Sequence, residues 1–172
     1  MYLDLMDVLR EAGASVEKPI RIEPTTLEDV EIVEPVRGSV RATNARQTIV
    51  ISGHATTAVI LPCARCLRPH PQHFDLELEA VAPLAFFRER LTGHADDESE
   101  PDDEIAALFD AHTLDVLELI RQAIVLQSPM QPLCSPDCPG LPEAKNYIET
   151  RDERWGALAN WKIEKELDHG SA

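Results

Sequence analysis

The four cysteines of this 172-residue chain form two close pairs, and no cysteine lies outside them. Two residues separate Cys63 from Cys66, three separate Cys134 from Cys138, and sixty-seven lie between the pairs. Either spacing allows two thiolates to bind one tetrahedral ion, and four thiolates complete a closed structural zinc site. The sequence therefore predicts a four-cysteine zinc knuckle, which requires a fold that brings two distant segments together.

Three other interpretations of the cysteines stay open. Cys63 and Cys66 can form a redox pair, because Arg65 would lower the pKa of a neighbouring thiol. A thioredoxin-type pair, however, begins a helix within a βαβ unit, and the proline-rich residues after Cys66 do not favour a helix. The cysteines can also bind no metal, or His70 or His73 can replace one thiol as a zinc ligand.

Residues 29–86 are predicted to form strands. The segment 47–61 is rich in β-branched residues, and 74–83 alternates apolar residues with outward carboxylates. Short connections between these segments predict an antiparallel meander. Gly53 predicts a bulge or kink within the long strand.

Two helices are predicted, at 113–127 and 150–167. Thr113 is the expected N-cap of the first, which has apolar residues at helical spacing. Residues 1–13 fit either a short helix or an extended segment. The predicted fold class is α+β: an antiparallel, barrel-like sheet packed by two or three helices, with the four-cysteine knuckle attached.

The length fits a single domain over residues 1–172. Residues 94–104 hold seven carboxylates, and this self-repelling run predicts an acidic mobile loop. Residues 168–172 are expected to be a frayed tail.

The net charge is −15, from sixteen basic and thirty-one acidic residues. Nucleic-acid binding favours a basic surface, so this balance suits a basic protein partner better, or serves only solubility. The chain carries no signal-peptide pattern and no apolar run of membrane-spanning length, so we expect a soluble cytoplasmic protein without membrane contact. No phosphate-binding glycine loop or nucleophile elbow is present, and we expect no catalytic residues and no enzymatic activity.

Several motifs together resemble the YceD family, the large ribosomal RNA subunit accumulation proteins. They are Glu34-Pro-Val-Arg-Gly38, Ile60-Leu-Pro-Cys63-Ala-Arg-Cys66-Leu67, Thr113-Leu-Asp115, Ser128-Pro-Met-Gln-Pro-Leu-Cys134, Asp137-Cys138-Pro-Gly140-Leu141 and Arg151-Asp-Glu-Arg-Trp155. The resemblance runs from about Glu34 to Trp161. Many members continue with a further Cys-Pro-x-Cys-Gly unit, whereas this chain has no cysteine after Leu141.

The resemblance implies a part in producing or stabilising large-subunit ribosomal RNA. Because of the acidity, we expect a factor that supports ribosome biogenesis by engaging a basic ribosomal protein or another assembly component. One alternative is a thiol-dependent oxidoreductase that uses Cys63 and Cys66. Another is a module that contacts ribosomal RNA directly, which would show a steep salt dependence.

Overall fold

The computed structural model describes residues 1–27, 29–92 and 107–141. The predicted helix at 150–167, the acidic segment 94–104 and the tail 168–172 lie outside these residues. The predicted single domain over the whole chain therefore stays a prediction.

The described residues form an α+β fold, as predicted, with antiparallel sheets and three helices. The helices are α1 (Met6–Arg10), α2 (Leu84–Thr92) and α3 (Val116–Gln127). The strands are β1 (Tyr2–Asp4), β2 (Ser15–Ile22), β3 (Thr25–Thr26), β4 (Glu31–Ile32), β5 (Val36–Asn44), β6 (Thr48–Pro62), β7 (Pro69–Pro83), β8 (Phe109–Asp110) and β9 (Thr113–Asp115).

The predicted meander is confirmed as the centre of the larger sheet. Strands β5, β6 and β7 pair antiparallel in sequence order, and β6 pairs with β7 along its whole length, from Thr48 opposite Pro83 to Pro62 opposite Pro69. Strand β2 extends the sheet beyond β5, while β4 and β3 lie beside the end of β6. The sheet thus begins at Ser15, before the predicted 29, and β7 ends at Pro83.

The expectation of a barrel-like sheet was wrong. A barrel closes by pairing its last strand with its first, whereas β7 pairs only with β6 among the described residues. Apolar side chains from all three helices instead cover one face of the sheet and share its buried core. The opposite face stays open, because the alternating pattern places polar residues there.

Gly53 marks no bulge, contrary to the prediction. Its pairing is regular on both sides, with Val40 on β5 and Leu78 on β7. The glycine is needed because the two strands approach closely: a Cβ at Gly53 would collide with the carbonyl oxygen of Ser39. A Cβ at Gly38 on β5 would likewise collide with the carbonyl oxygen of His54.

Helix α3 begins later than predicted and with a different cap. Thr113 lies in β9, which pairs with β1 and β8 in a small three-stranded sheet. The N-cap is Asp115, whose side chain accepts hydrogen bonds from the backbone N–H groups of Leu117 (2.9 Å) and Glu118 (3.5 Å). The predicted end at residue 127 is confirmed.

Residues 1–13 contain both structures that the sequence left open, strand β1 followed by helix α1. No helix in the described part of the chain has the length and apolarity to cross a membrane.

Candidate metal centre

The first cysteine pair lies in the connection between β6 and β7. Because these strands stay paired up to Pro62 and Pro69, residues 63–68 must turn within a tight knuckle. The backbone N–H of Cys63 donates to the carbonyl of Arg68 (3.0 Å), and that of Leu67 donates to the carbonyl of Cys63 (2.9 Å). Leu67 takes a φ of 60° to close this turn.

The second pair follows α3. The helix ends at Gln127, with Ser128 as its C-cap before Pro129, since a proline does not continue a helix without loss of a hydrogen bond. Cys138 closes a turn by donating its backbone N–H to the carbonyl of Ser135 (3.0 Å), and Gly140 follows with a φ of 77°. This second knuckle carries Cys134 and Cys138.

Backbone and side-chain contacts join the two knuckles. The backbone N–H of Ala64 donates to the carbonyl of Pro132 at 2.7 Å. One guanidinium nitrogen of Arg65 donates to the carbonyls of Pro136 and Cys138, both at 3.1 Å. The knuckles are thus positioned by protein contacts as well as by their sulfur atoms.

The four sulfur atoms lie within 4.8 Å of one another. Cys63 Sγ is 3.8 Å from Cys138 Sγ, and Cys66 Sγ is 3.8 Å from Cys134 Sγ. A tetrahedral zinc ion with Zn–S bonds of about 2.3 Å places its sulfur ligands about 3.8 Å apart, whereas a disulfide bond measures about 2.05 Å. All four cysteines are free, and their donor set and spacing fit a tetrahedral ion.

The site is largely shielded from water. Cys63, Cys66 and Cys138 are buried in a small cluster with the partly buried Leu133, separate from the main core, while Cys134 is exposed. The buried sulfur atoms and the four-thiol donor set suit a structural ion, whose ligands enclose it completely.

Local hydrogen bonds favour negative charge on the first knuckle. Backbone N–H groups, that of Cys134 first and that of Cys66 next, lower the pKa of Cys63 to about 5. Arg68 lowers the pKa of Cys66 by donating to its sulfur. The neighbouring sulfur of Cys138 is the main cause that raises the pKa of Cys134 to about 12. Binding of an ion would therefore displace a proton from Cys134.

The alternative histidine ligands are not in the cluster. Among the described residues, the ligand group contains the four cysteines alone. His73 lies instead beside Glu34, with 3.8 Å between Nδ1 and a carboxylate oxygen. The two ring nitrogens of His70 are buried and have no hydrogen-bond partner among residues 1–27, 29–92 and 107–141. The thioredoxin-type context is also missing, because Cys66 leads into β7 and not into a helix.

Sequence reasoning missed the role of Arg68 and one of the two roles of Arg65. The sequence predicts that Arg65 lowers the pKa of a neighbouring thiol, and its backbone N–H does so at Cys63. The guanidinium of Arg65 bridges the two knuckles through carbonyl groups, and the side chain of Arg68 contacts the thiol of Cys66. The available signal was the presence of two cations within a six-residue turn that also holds two thiols.

The fold and the site together define an α+β protein with a cluster of four cysteines that could hold a metal ion. The model of one family, described as large ribosomal RNA subunit accumulation protein YceD, matches residues 51–162, a range that includes all four cysteines. This chain belongs to the YceD family, as the motifs indicated. The family's description implies a role in the accumulation of large-subunit ribosomal RNA.

The chain is also similar to uncharacterized mycobacterial proteins. Relatives from Mycobacterium tuberculosis and Mycobacterium bovis are each 26% identical, over 92% of this chain and 79% of their own length. A Mycobacterium leprae protein is 23% identical over 65% of this chain and 48% of its own. No solved structure gives a significant match.

Proposed function

We propose that this protein is a non-enzymatic factor that supports accumulation of large-subunit ribosomal RNA, and hence ribosome biogenesis, through contacts with protein or ribonucleoprotein partners. The observation that carries the proposal is the family match over residues 51–162. The cysteine centre lies within this match, and its closed, four-sulfur geometry suits a structural role better than a catalytic one.

The test is the ratio of large- to small-subunit ribosomal RNA in cells that lack the protein. We expect a lower ratio, restored by the wild-type gene and restored only partly by Cys63→Ser. Asp110→Asn, an exposed substitution away from the cysteines, is the control and should restore the ratio fully. An unchanged ratio in the deletion strain would contradict the proposal.

We propose also that this protein binds a zinc ion through four thiolates, which cross-link the β6–β7 turn to the segment after α3. The ligands are Cys63, Cys66, Cys134 and Cys138. The 3.8 Å sulfur separations support this assignment. Protein purified without added metal should contain equimolar zinc, with all four thiols protected until a chelator is added. Two thiols that react rapidly before chelation would favour the oxidoreductase alternative, which uses Cys63 and Cys66.

For the partner we propose a basic ribosomal protein or another positively charged assembly component. The net charge of −15 supports this choice. So does a line of exposed carboxylates on β7, Asp75, Glu77 and Glu79, which form no ion pair within the described residues. Crosslinking in cells should recover basic large-subunit proteins. Recovery of ribosomal RNA with no basic protein would contradict this partner.

A further inference from the structure

The open face of the larger sheet carries a cluster of arginines. Here "open face" means the side of β2, β5, β6 and β7 that points away from the core. On it, Arg21 of β2 lies directly opposite Arg37 of β5, and Glu17 lies directly opposite Arg41. All four side chains are exposed. A chain with few basic residues thus places three arginines on the open face of two neighbouring strands.

The two cross-strand pairs differ in charge. Glu17 and Arg41 form an ion pair at 2.6 Å, and Arg41 lowers the pKa of Glu17. Arg21 and Arg37, four residues further along the same strands, are a like-charge pair, an arrangement that destabilises a sheet. Within the described part of the chain, neither guanidinium has an ion pair or a hydrogen bond. An external anion would relieve their repulsion.

The surroundings of this arginine pair suit an anion with several oxygen atoms. Thr56 of β6 lies directly opposite Arg37, and Ser39 and His54 face each other in the next row. A shallow groove of about 640 Å³ opens beside Arg37 and is lined also by Thr56 and His73, and by two carboxylates, Glu34 and Asp75. Guanidinium, hydroxyl and imidazole groups are the side chains that contact phosphate oxygens, with arginine able to do so through two parallel hydrogen bonds.

Within the described residues, salt weakens the effect of the surrounding carboxylates on this patch. The backbone of β7 lies two strand spacings from β5 and three from β2, or about 10 Å and 14 Å, although the side chain of Asp75 lines the same groove as Arg37. Exposed charges are largely screened beyond about 8 Å in 0.15 M salt. The carboxylate of Glu34 lies beside His73, and that of Glu17 is paired with Arg41.

We propose that the β2–β5–β6 part of the open face binds the phosphate backbone of RNA, with Arg21 and Arg37 as the main contacts. The choice of RNA as the source of the phosphates rests on the proposed function. The contact is independent of sequence, because it reads the backbone and not the bases.

The experiment measures binding of a fluorescently labelled RNA hairpin to the full chain at several salt concentrations. Arg21→Gln with Arg37→Gln should weaken binding about tenfold or more. The slope of log K against log salt should fall by roughly 1.5 to 2, since two phosphate contacts are lost. Arg21→Lys with Arg37→Lys should keep most of the affinity, because lysine also neutralises phosphate.

The matched control is Arg10→Gln with Arg46→Gln, which changes the net charge equally at exposed positions outside the open face. It should change affinity by less than about twofold. Thermal unfolding checks folding, and the Arg21/Arg37 glutamine variant should be at least as stable as wild type because it removes a repulsion.

Equal weakening by both double variants, or no RNA binding by the wild type at low salt, would overturn the proposal. These outcomes come from purified protein and are independent of the ribosomal RNA ratio in cells. If the ratio falls in the deletion strain while the patch variant binds RNA normally, only the RNA-backbone proposal fails and the proposed function stands.

Discussion

At the scale of single residues, Arg65 links the two knuckles that carry the cysteines. Its guanidinium joins two carbonyls of the second knuckle, although 71 and 73 residues separate it from Pro136 and Cys138. It therefore holds the second cysteine pair in place beside the first, independently of any ion. Lysine cannot reproduce this contact fully, because its ammonium lacks the planar fork of guanidinium.

Arg65→Ala should destabilise the knuckle pairing by about 1–2 kcal/mol, the cost of losing hydrogen bonds from a charged donor at a partly exposed site. The measurement is the rate of zinc release to a chelator, together with the midpoint of thermal unfolding. We expect faster release for Arg65→Ala and an intermediate rate for Arg65→Lys. A release rate equal to that of wild type would exclude the bridging role.

The clustering of the four cysteines could be predicted from the sequence, because the spacing within each pair is a local property of the chain. The contacts of Arg65 could not, since both acceptors are backbone carbonyls, which every residue carries. The N-cap of α3 was missed for a related reason. Thr113 and Asp115 are both good capping residues, and only the pairing of Thr113 with Asp110 in the small sheet decides between them.

At the scale of elements, the β5–β6 pair depends on glycines at its closest approach. Gly53→Ala places a Cβ against the carbonyl oxygen of Ser39, which can move only with its strand. We expect a loss of about 2–4 kcal/mol in the free energy of unfolding, measured by chemical denaturation. Ser52→Ala, at the exposed neighbouring position, is the control and should cost less than about 0.5 kcal/mol.

Helix α3 is tied to the rest of the fold by a small network of charges. Arg121 donates to Glu118 on the same helix (2.7 Å) and to Asp29 (2.9 Å), in the segment between β3 and β4. The alternating pattern of 74–83 predicted the second part of β7 and its end at Pro83, although the strand begins earlier, at Pro69. The charge network joins residues 92 positions apart and leaves no local signal. The same holds for Gln127, which contacts the backbone of Glu77 on β7.

The Glu118–Arg121 pair should make stability depend on pH. Hydrogen bonding to Arg121 lowers the pKa of Glu118 in the folded state. The stabilisation that the Glu118–Arg121 pair provides is therefore fully present above the pKa of an unfolded-state glutamate, about 4.3. It is lost as the pH falls through the lower pKa that Glu118 has in the folded protein. The free energy of unfolding, measured by chemical denaturation, should decrease between pH 7 and pH 3. We expect this decrease to be smaller in Glu118→Gln than in wild type, by up to about 1 kcal/mol. Parallel curves would exclude this contribution.

At the scale of the whole molecule, the net charge does not predict where charged side chains cluster on the surface. The composition predicted an acidic protein, but not that Arg21 and Arg37 would meet, since their contact depends on the register between β2 and β5. The barrel expectation failed at the same scale. Strand patterns indicate which face of the sheet is apolar. Whether further strands or helices cover that face depends on tertiary packing, and here the helices cover it.

The described residues form two separate buried clusters, and this division predicts what metal removal does. The main cluster joins the sheet and the helices, while Cys63, Cys66 and Cys138 form their own cluster with Leu133. Metal binding contributes folding energy to the structure that it closes. A chelator should therefore unfold the knuckles locally and leave the sheet folded.

Hydrogen exchange measures this directly. After chelation, the amides of Ala64, Leu67 and Cys138, which donate within and between the knuckles, should exchange much faster. Amides of β6 near Ile51 should keep their protection, because that residue is buried in the main core. Cys134→Ser without chelator should give the same pattern, since it removes one of the four sulfur ligands. Simultaneous loss of protection in β6 would mean that the centre supports the whole fold and not only its knuckles.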